Sequence, residues 1–234
     1  MADNDFDIDG LAKYLHLSPQ QVEKLVSRGN LPGRRIGGEW RFNAAEIHHW
    51  MEERMGVLED GELAKVETAL AKSDSQSVDE ALLRDSLSMD TIAVPLVART
   101  KNAVIDTMCQ LAATMGMLWD PEKMADAVRS REQMQTTAME NGVALLHPRR
   151  PMASILGEPV LAIGVTSSGI PFGGSRSLTD IFFLICSVDD RGHLRTLARL
   201  SRILTTDGIV DQLRSAPDAA TIYEIISSAE EELA

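Results

Sequence analysis

Two histidines and one arginine are the residues of this chain best suited to chemistry. His147 closes the short apolar run Val143-Ala-Leu-Leu-His147, which places it at a strand terminus, where sites often lie. His193 stands at the start of a helix expected from Gly192 to Leu204, where the positive end of the helix dipole disfavours an imidazolium and keeps the ring neutral. A neutral imidazole serves as a nucleophile or as a hydrogen-bond partner for phosphate. Arg131 is a permanently charged fork suited to anionic oxygens. Residue type alone leaves open which histidine takes which role. The five histidines and two cysteines show no zinc-ligand spacing, so neither a metal nor another cofactor is called for.

The elements that must hold these residues read as an α/β domain from about Leu82 to the end. Thr100 caps a helix through about Gly116, with Val104, Met108, Leu111 and Met115 on one face, and Pro121 begins a second that reaches Arg131. Val160 to Val165 and Ile181 to Val188 read as buried strands, far shorter than the roughly 20 residues a membrane-crossing helix needs. Cys109 and Cys186 sit inside apolar stretches, as core residues of a reduced, cytoplasmic protein would. The acidic N-terminus lacks the basic and apolar segments of a secretory signal.

Residues 1–55 form a separate small unit, mainly helical. Leu11 to Leu15 is a short amphipathic helix, and Ser18-Pro19 starts a second that runs to Arg28. Val22, Leu25 and Val26 face inward, leaving Gln20, Gln21, Lys24 and Arg28 outward at a length suited to a major groove. Gly37-Gly38 signals a tight hairpin, a wing, and Asn43 caps a third helix with Ile47, Trp50 and Met51 on its apolar face. The chain is acidic, with 35 acidic against 23 basic residues and a net charge of -12, so DNA contact requires clustered basic groups. Between Lys13 and Arg41 six basic residues oppose only Glu23 and Glu39, a surplus of four (6 − 2). Residues 56–81 read as a linker helix over Leu63–Lys72 followed by a flexible joint at Ser73–Ser77. Trp40 and Trp50 are expected in the core, and His16, His48 and His49 at the surface.

Ser-Pro helix, Leu31-Pro-Gly-Arg34, Gly37-Gly38, Trp40-Arg-Phe42 and a helix with Trp50 together resemble the excisionase-like, MerR-related winged helix-turn-helix family. That resemblance implies that Gln20, Gln21, Lys24 and Arg28 read the groove while Arg34, Arg35 and Arg41 hold phosphates. Over 82–234, Ser130-Arg131-Glu132, Thr136-Thr137, Asn141-Gly-Val-Ala144 and His147, with His193 further on, resemble phosphotransferase-system EIIA domains of the fructose, mannitol and nitrogen-regulatory type. This second resemblance implies a mixed sheet flanked by helices. It also implies phosphoryl acceptance by His147 from an HPr-like carrier, assisted by Arg131, His193 and a hydroxyl hydrogen bond from Thr137. The sequence departs from the family pattern in two places. Leu145-Leu146-His147-Pro148 stands where the family has Ile-Pro-His-Gly, and Ala138 and Glu140 replace glycines. An inward-pointing Glu140 would repel phosphate.

Together these resemblances imply a bacterial cytoplasmic signalling protein in which a phosphoryl group on His147 alters binding of DNA, or of a regulatory partner, by the head. The alternatives are onward transfer to an EIIB domain in sugar transport, or a sensor that has lost phosphorylation. A second copy of the chain is a candidate partner, because a single small head makes a small DNA footprint.

Overall fold

The structure, a computed structural model, describes residues 5–15, 17–55, 83–173 and 178–233, with the backbone alone at 45, 48 and 52–55. The chain divides into two compact units, Met1–Glu80 and Ala81–Ala234. The helix expected over Leu63–Lys72 and the joint at Ser73–Ser77 lie outside the described residues, as does His16.

In the first unit, β1 (Asp5–Phe6) and α1 (Ile8–Leu15) precede α2 (Pro19–Ser27), β2 (Arg34–Ile36), β3 (Glu39–Asn43) and α3 (Ala44–Met55). Ser18 starts α2 with a reciprocal cap: its hydroxyl oxygen accepts the Gln21 N–H at 3.3 Å, and Gln21 Oε1 accepts the Ser18 N–H at 2.8 Å. Gly37 and Gly38 turn the hairpin with φ of 63° and 91°, the left-handed pair that a two-residue hairpin turn requires. The strand order is β1-β3-β2, all antiparallel. Leu11, Val22, Val26, Leu31, Phe42, Ile47 and Met51 are buried together. Trp40 and Trp50 sit half-buried at the edge of that core instead of inside it. Each is placed by a polar partner, since Arg35 lies 5.0 Å over the Trp40 ring and the Trp50 indole N–H donates to the Asn30 carbonyl at 2.8 Å. His49 is half-buried as well.

The second unit is a mixed four-stranded sheet flanked by helices. Its strands are β4 (Leu87–Ala93), β5 (Val143–Leu146), β6 (Val160–Ile170) and β7 (Thr179–Cys186), in the order β4-β6-β7-β5. β4 is parallel to β6, β6 antiparallel to β7, and β5 parallel to β7. Phe182, Phe183, Leu184 and Ile185 are all buried, the unbroken apolar run of a strand covered on both faces. The helices are α4 (Leu83–Ser86), α5 (Lys101–Ala113), α6 (Pro121–Met134), α7 (Asp190–Thr205), α8 (Ile209–Ser215) and α9 (Ala219–Glu232). Side-chain oxygens of Thr100, Asp120, Asp189 and Asp218 cap four of them, each accepting backbone N–H groups of the first turn. Val104 and Met108 of α5 and Met124 and Val128 of α6 share one core cluster with Leu146, Phe182 and Leu184. On the other side α7 packs on β7 and α9 on β4.

Cys109 and Cys186 are free and buried. Burial, helped by Asp106, pushes the Cys109 thiol up to about 12, and burial raises Cys186 well above its ordinary value.

Candidate functional site

Parallel pairing of β5 with β7 builds the site. Leu146 lies opposite Leu184, so the carboxyl ends of both strands deliver His147 and Ser187 to one edge of the sheet. The glycine before β5 makes this register possible. Gly142 has φ of +87°, and a Cβ there would come within 2.9 Å of Arg214 Nη2, whose guanidinium is forked onto Asp180 and donates to the Asn141 carbonyl at 3.0 Å. That fork ties the turn before β5 to the start of β7, and the Asp180 carboxylate raises the pKa of Arg214 above its ordinary value.

His147 is 3% exposed and His193 1%, and their ring centroids lie 5.0 Å apart at 55°. His147 Nδ1 is 2.8 Å from the Leu145 carbonyl oxygen. A carbonyl only accepts, so this bond assigns the proton to Nδ1 and the lone pair to Nε2. His193 sits in the first turn of α7, where Asp189 accepts the N–H groups of Arg191 at 3.0 Å and Gly192 at 2.8 Å. Its Nδ1 lies 3.3 Å from the Ser187 hydroxyl.

Arg131 ends α6 buried, with Nη1 donating to the Gln135 carbonyl at 2.8 Å. Thr137 reaches β5 through its backbone: its carbonyl accepts the Leu145 N–H at 3.4 Å. Expected to offer its hydroxyl proton to phosphate, Thr137 has already donated that proton to Glu132 Oε1, which also accepts its N–H at 2.8 Å. Glu140 is exposed, so it does not carry its charge inward. The two histidines are thus in ring contact, and Thr137 is bonded to the strand that ends at His147. Sequence reasoning passed over Ser187 and Lys101, and gave Glu132 a place in a motif but no role. Lys101 and Glu132 are 31 residues apart, so local spacing gave no signal for their pairing.

On the head, Gln20, Lys24 and Arg28 are exposed on α2, and among the described residues no ion pair engages Lys24 or Arg28. Gln21, expected to read the groove, spends its side-chain oxygen on the cap with Ser18. The Ser-x-x-Gln spacing is itself a capping signature, and it was legible. Arg34 pairs with Asp5 at 3.0 Å and Arg41 with Glu39 at 2.9 Å. Arg34, helped by Asn43, holds the Asp5 carboxyl below its ordinary value. Exposed pairs of this kind contribute little to stability, so either carboxylate can give up its arginine at little cost.

Among the described residues no group of three or more histidine, cysteine or acidic side chains is placed to hold a metal, and no helix is long and apolar enough to cross a membrane.

Comparison with known proteins places both units. Residues 6–55 match the helix-turn-helix domain family. The chain is 27% identical over 148 residues to the fructose-specific EIIABC component of the phosphotransferase system of Bacillus subtilis, covering 62% of this chain and only 23% of that protein. It is 27% identical over 151 residues to a nitrogen regulatory protein of Bradyrhizobium diazoefficiens, covering 62% of this chain and 94% of that one. Among solved structures, nitrogen regulatory protein IIA-Ntr of Neisseria meningitidis superposes with a TM-score of 0.55 at 17% identity, over 62% of this chain and 98% of that one, a likeness of fold. The family described as phosphoenolpyruvate-dependent sugar phosphotransferase system, EIIA 2, matches residues 85–229, more than half of the chain, and the chain belongs to that family.

Proposed function

We propose that this chain is a signalling protein in which His147 accepts a phosphoryl group from an HPr-like carrier and the N-terminal head binds DNA. The observation that carries the proposal is the Nδ1 bond of His147 to the Leu145 carbonyl, made where the ring faces His193. It fixes the tautomer whose Nε2 lone pair attacks. In the transfer that pair forms a bond to phosphorus, and the donor's N–P bond breaks with its electrons returning to the donor imidazole. The charge of the new phosphoimidazolium is shared with Nδ1–H on the Leu145 carbonyl, so no base is needed.

On this reading the Ser187 hydroxyl, 3.3 Å from His193 Nδ1, donates to it, so that His193 carries its proton on Nε2 as a donor for phosphoryl oxygens, and Arg131, 16 residues before His147, supplies fixed positive charge. Because His147 is 3% exposed, the donor must part some of its cover to reach it. The match of residues 6–55 to a helix-turn-helix domain, beside an EIIA unit similar to nitrogen regulatory proteins, supports regulation as the output.

Incubation with phosphoenolpyruvate, its phosphotransferase and an HPr-type carrier tests the proposal. The expected result is a carrier-dependent, acid-labile mass gain of one phosphoryl group that His147→Ala abolishes. An unchanged mass in the natural chain overturns it.

A further inference from the structure

Glu132 is a buried carboxylate for which the phosphoryl chemistry above has no use. Its side chain is 1% exposed, and a carboxylate so far from water persists only when paired and hydrogen-bonded. Its partners come from two segments. Oε2 meets Lys101 Nζ at 2.8 Å, and Oε1 accepts both the N–H and the hydroxyl of Thr137. Lys101 also donates to the Phe172 carbonyl at 3.2 Å and lies 4.6 Å from the centroid of that ring. One ion pair therefore pins the start of α5, the end of α6, the turn through Thr137 and the segment after β6.

The bonding continues toward the histidine. The Thr137 carbonyl accepts the Leu145 N–H at 3.4 Å, and the carbonyl of Leu145 accepts the proton on His147 Nδ1 at 2.8 Å. We propose that Glu132, with Lys101 as its counter-ion, is a positioning residue for His147: it clamps Thr137, the Thr137 carbonyl holds the Leu145 N–H, and the Leu145 carbonyl is thereby placed to accept from Nδ1 as the protonated nitrogen. The links run through the backbone at Thr137 and Leu145, so the coupling is one of placement: loosening the clamp lets the Leu145 carbonyl drift from the ring and frees either nitrogen to carry the proton. Thr137 is on this reading part of the scaffold of the ring, and Glu132 acts on phosphoryl transfer only through it. The inference rests on His147 being the phosphoryl acceptor, but its decisive readout does not.

Glu132→Gln keeps the shape and one oxygen for Thr137 while removing the charge, and Lys101→Met removes the counter-ion from the other side. Long-range proton–nitrogen NMR spectra of the imidazole rings report the tautomer of His147 in each folded variant without any phosphodonor. The natural chain is expected to show Nδ1–H alone, and both variants a mixture with Nε2–H. Transfer from the carrier is expected to slow by about 10- to 100-fold in kcat with KM for the carrier unchanged, since small misplacements of a reacting group have effects of this size. A role confined to packing would lower thermal stability and leave the tautomer alone. Nδ1–H retained in folded Glu132→Gln and Lys101→Met overturns the proposal. Absence of phosphorylation in the natural chain, with the tautomer shift intact, would overturn the function above and leave the positioning role standing. If Glu132→Gln does not fold, Lys101→Met decides the question by the same two readouts.

Discussion

Cys109 shows how strongly the second unit insulates a titrating group. Its thiol is pushed from 9.0 up to about 12 by burial, so the unfolded chain ionises it first. Between these values the folded state holds more protons than the unfolded one, and stability is complete below pH 9.0 and lost as pH rises toward 12. Denaturant titrations at pH 8 and pH 10 should show the loss, at up to about 1.4 kcal/mol per pH unit, and Cys109→Ala should remove this residue's share. Equal stability at both pH values would contradict the burial. At this scale residue type singled out the two histidines that the structure brings into ring contact, while the 16-residue step from Arg131 to His147 came with the family resemblance. It left unread the cap made by the Gln21 side chain and the bond of the Thr137 hydroxyl to Glu132. In both cases a polar side chain met a partner within five residues before it met any ligand.

Elements position the site through β5, and β5 depends on Gly142. Substituting alanine there imposes a side chain on a left-handed residue and drives its Cβ to 2.9 Å from Arg214 Nη2. Gly142→Ala should cost about 1 kcal/mol or more in thermal or denaturant unfolding, and should also weaken the Arg214 fork on Asp180. An unaltered unfolding midpoint would mean that this turn does not set the strand. Helices with a capping residue and apolar spacing, such as α2 and α5, were legible because each signal is local. β4 was not. Its pairing with β6 shifts register between Leu87 and Ile92, and the irregularity breaks the alternation by which a strand is recognised. In α9 the buried Ile222, Ile226 and Ala229 behind Asp218 carry ordinary helical spacing, a signal that was present and passed over.

The whole molecule is strongly acidic, with a net charge of -12, yet on the proposed function each unit meets a phosphate in its own way. For the head, Lys24→Ala and Arg28→Ala should each weaken binding to duplex DNA by about 1–3 kcal/mol and relax sequence selectivity. A loss equal across sequences with a lower slope of log affinity against log salt instead would make them phosphate contacts, and unchanged affinity would remove α2 from the interface. That the second unit combines a sheet with helices was legible from its apolar runs, whereas the mixed order of the sheet came only with the family resemblance. The Lys101–Glu132–Thr137 clamp was not legible, because Lys101 comes to Glu132 from 31 residues away and is its neighbour only in the folded unit.

For the second unit, the most direct measurement is phosphorus and nitrogen NMR of the chain after transfer from the phosphorylated carrier. A phosphorus bonded to Nε2 of His147, with Nδ1 still protonated, is the expected result. Phosphorus on Nδ1, on His193, or on no ring at all would contradict it.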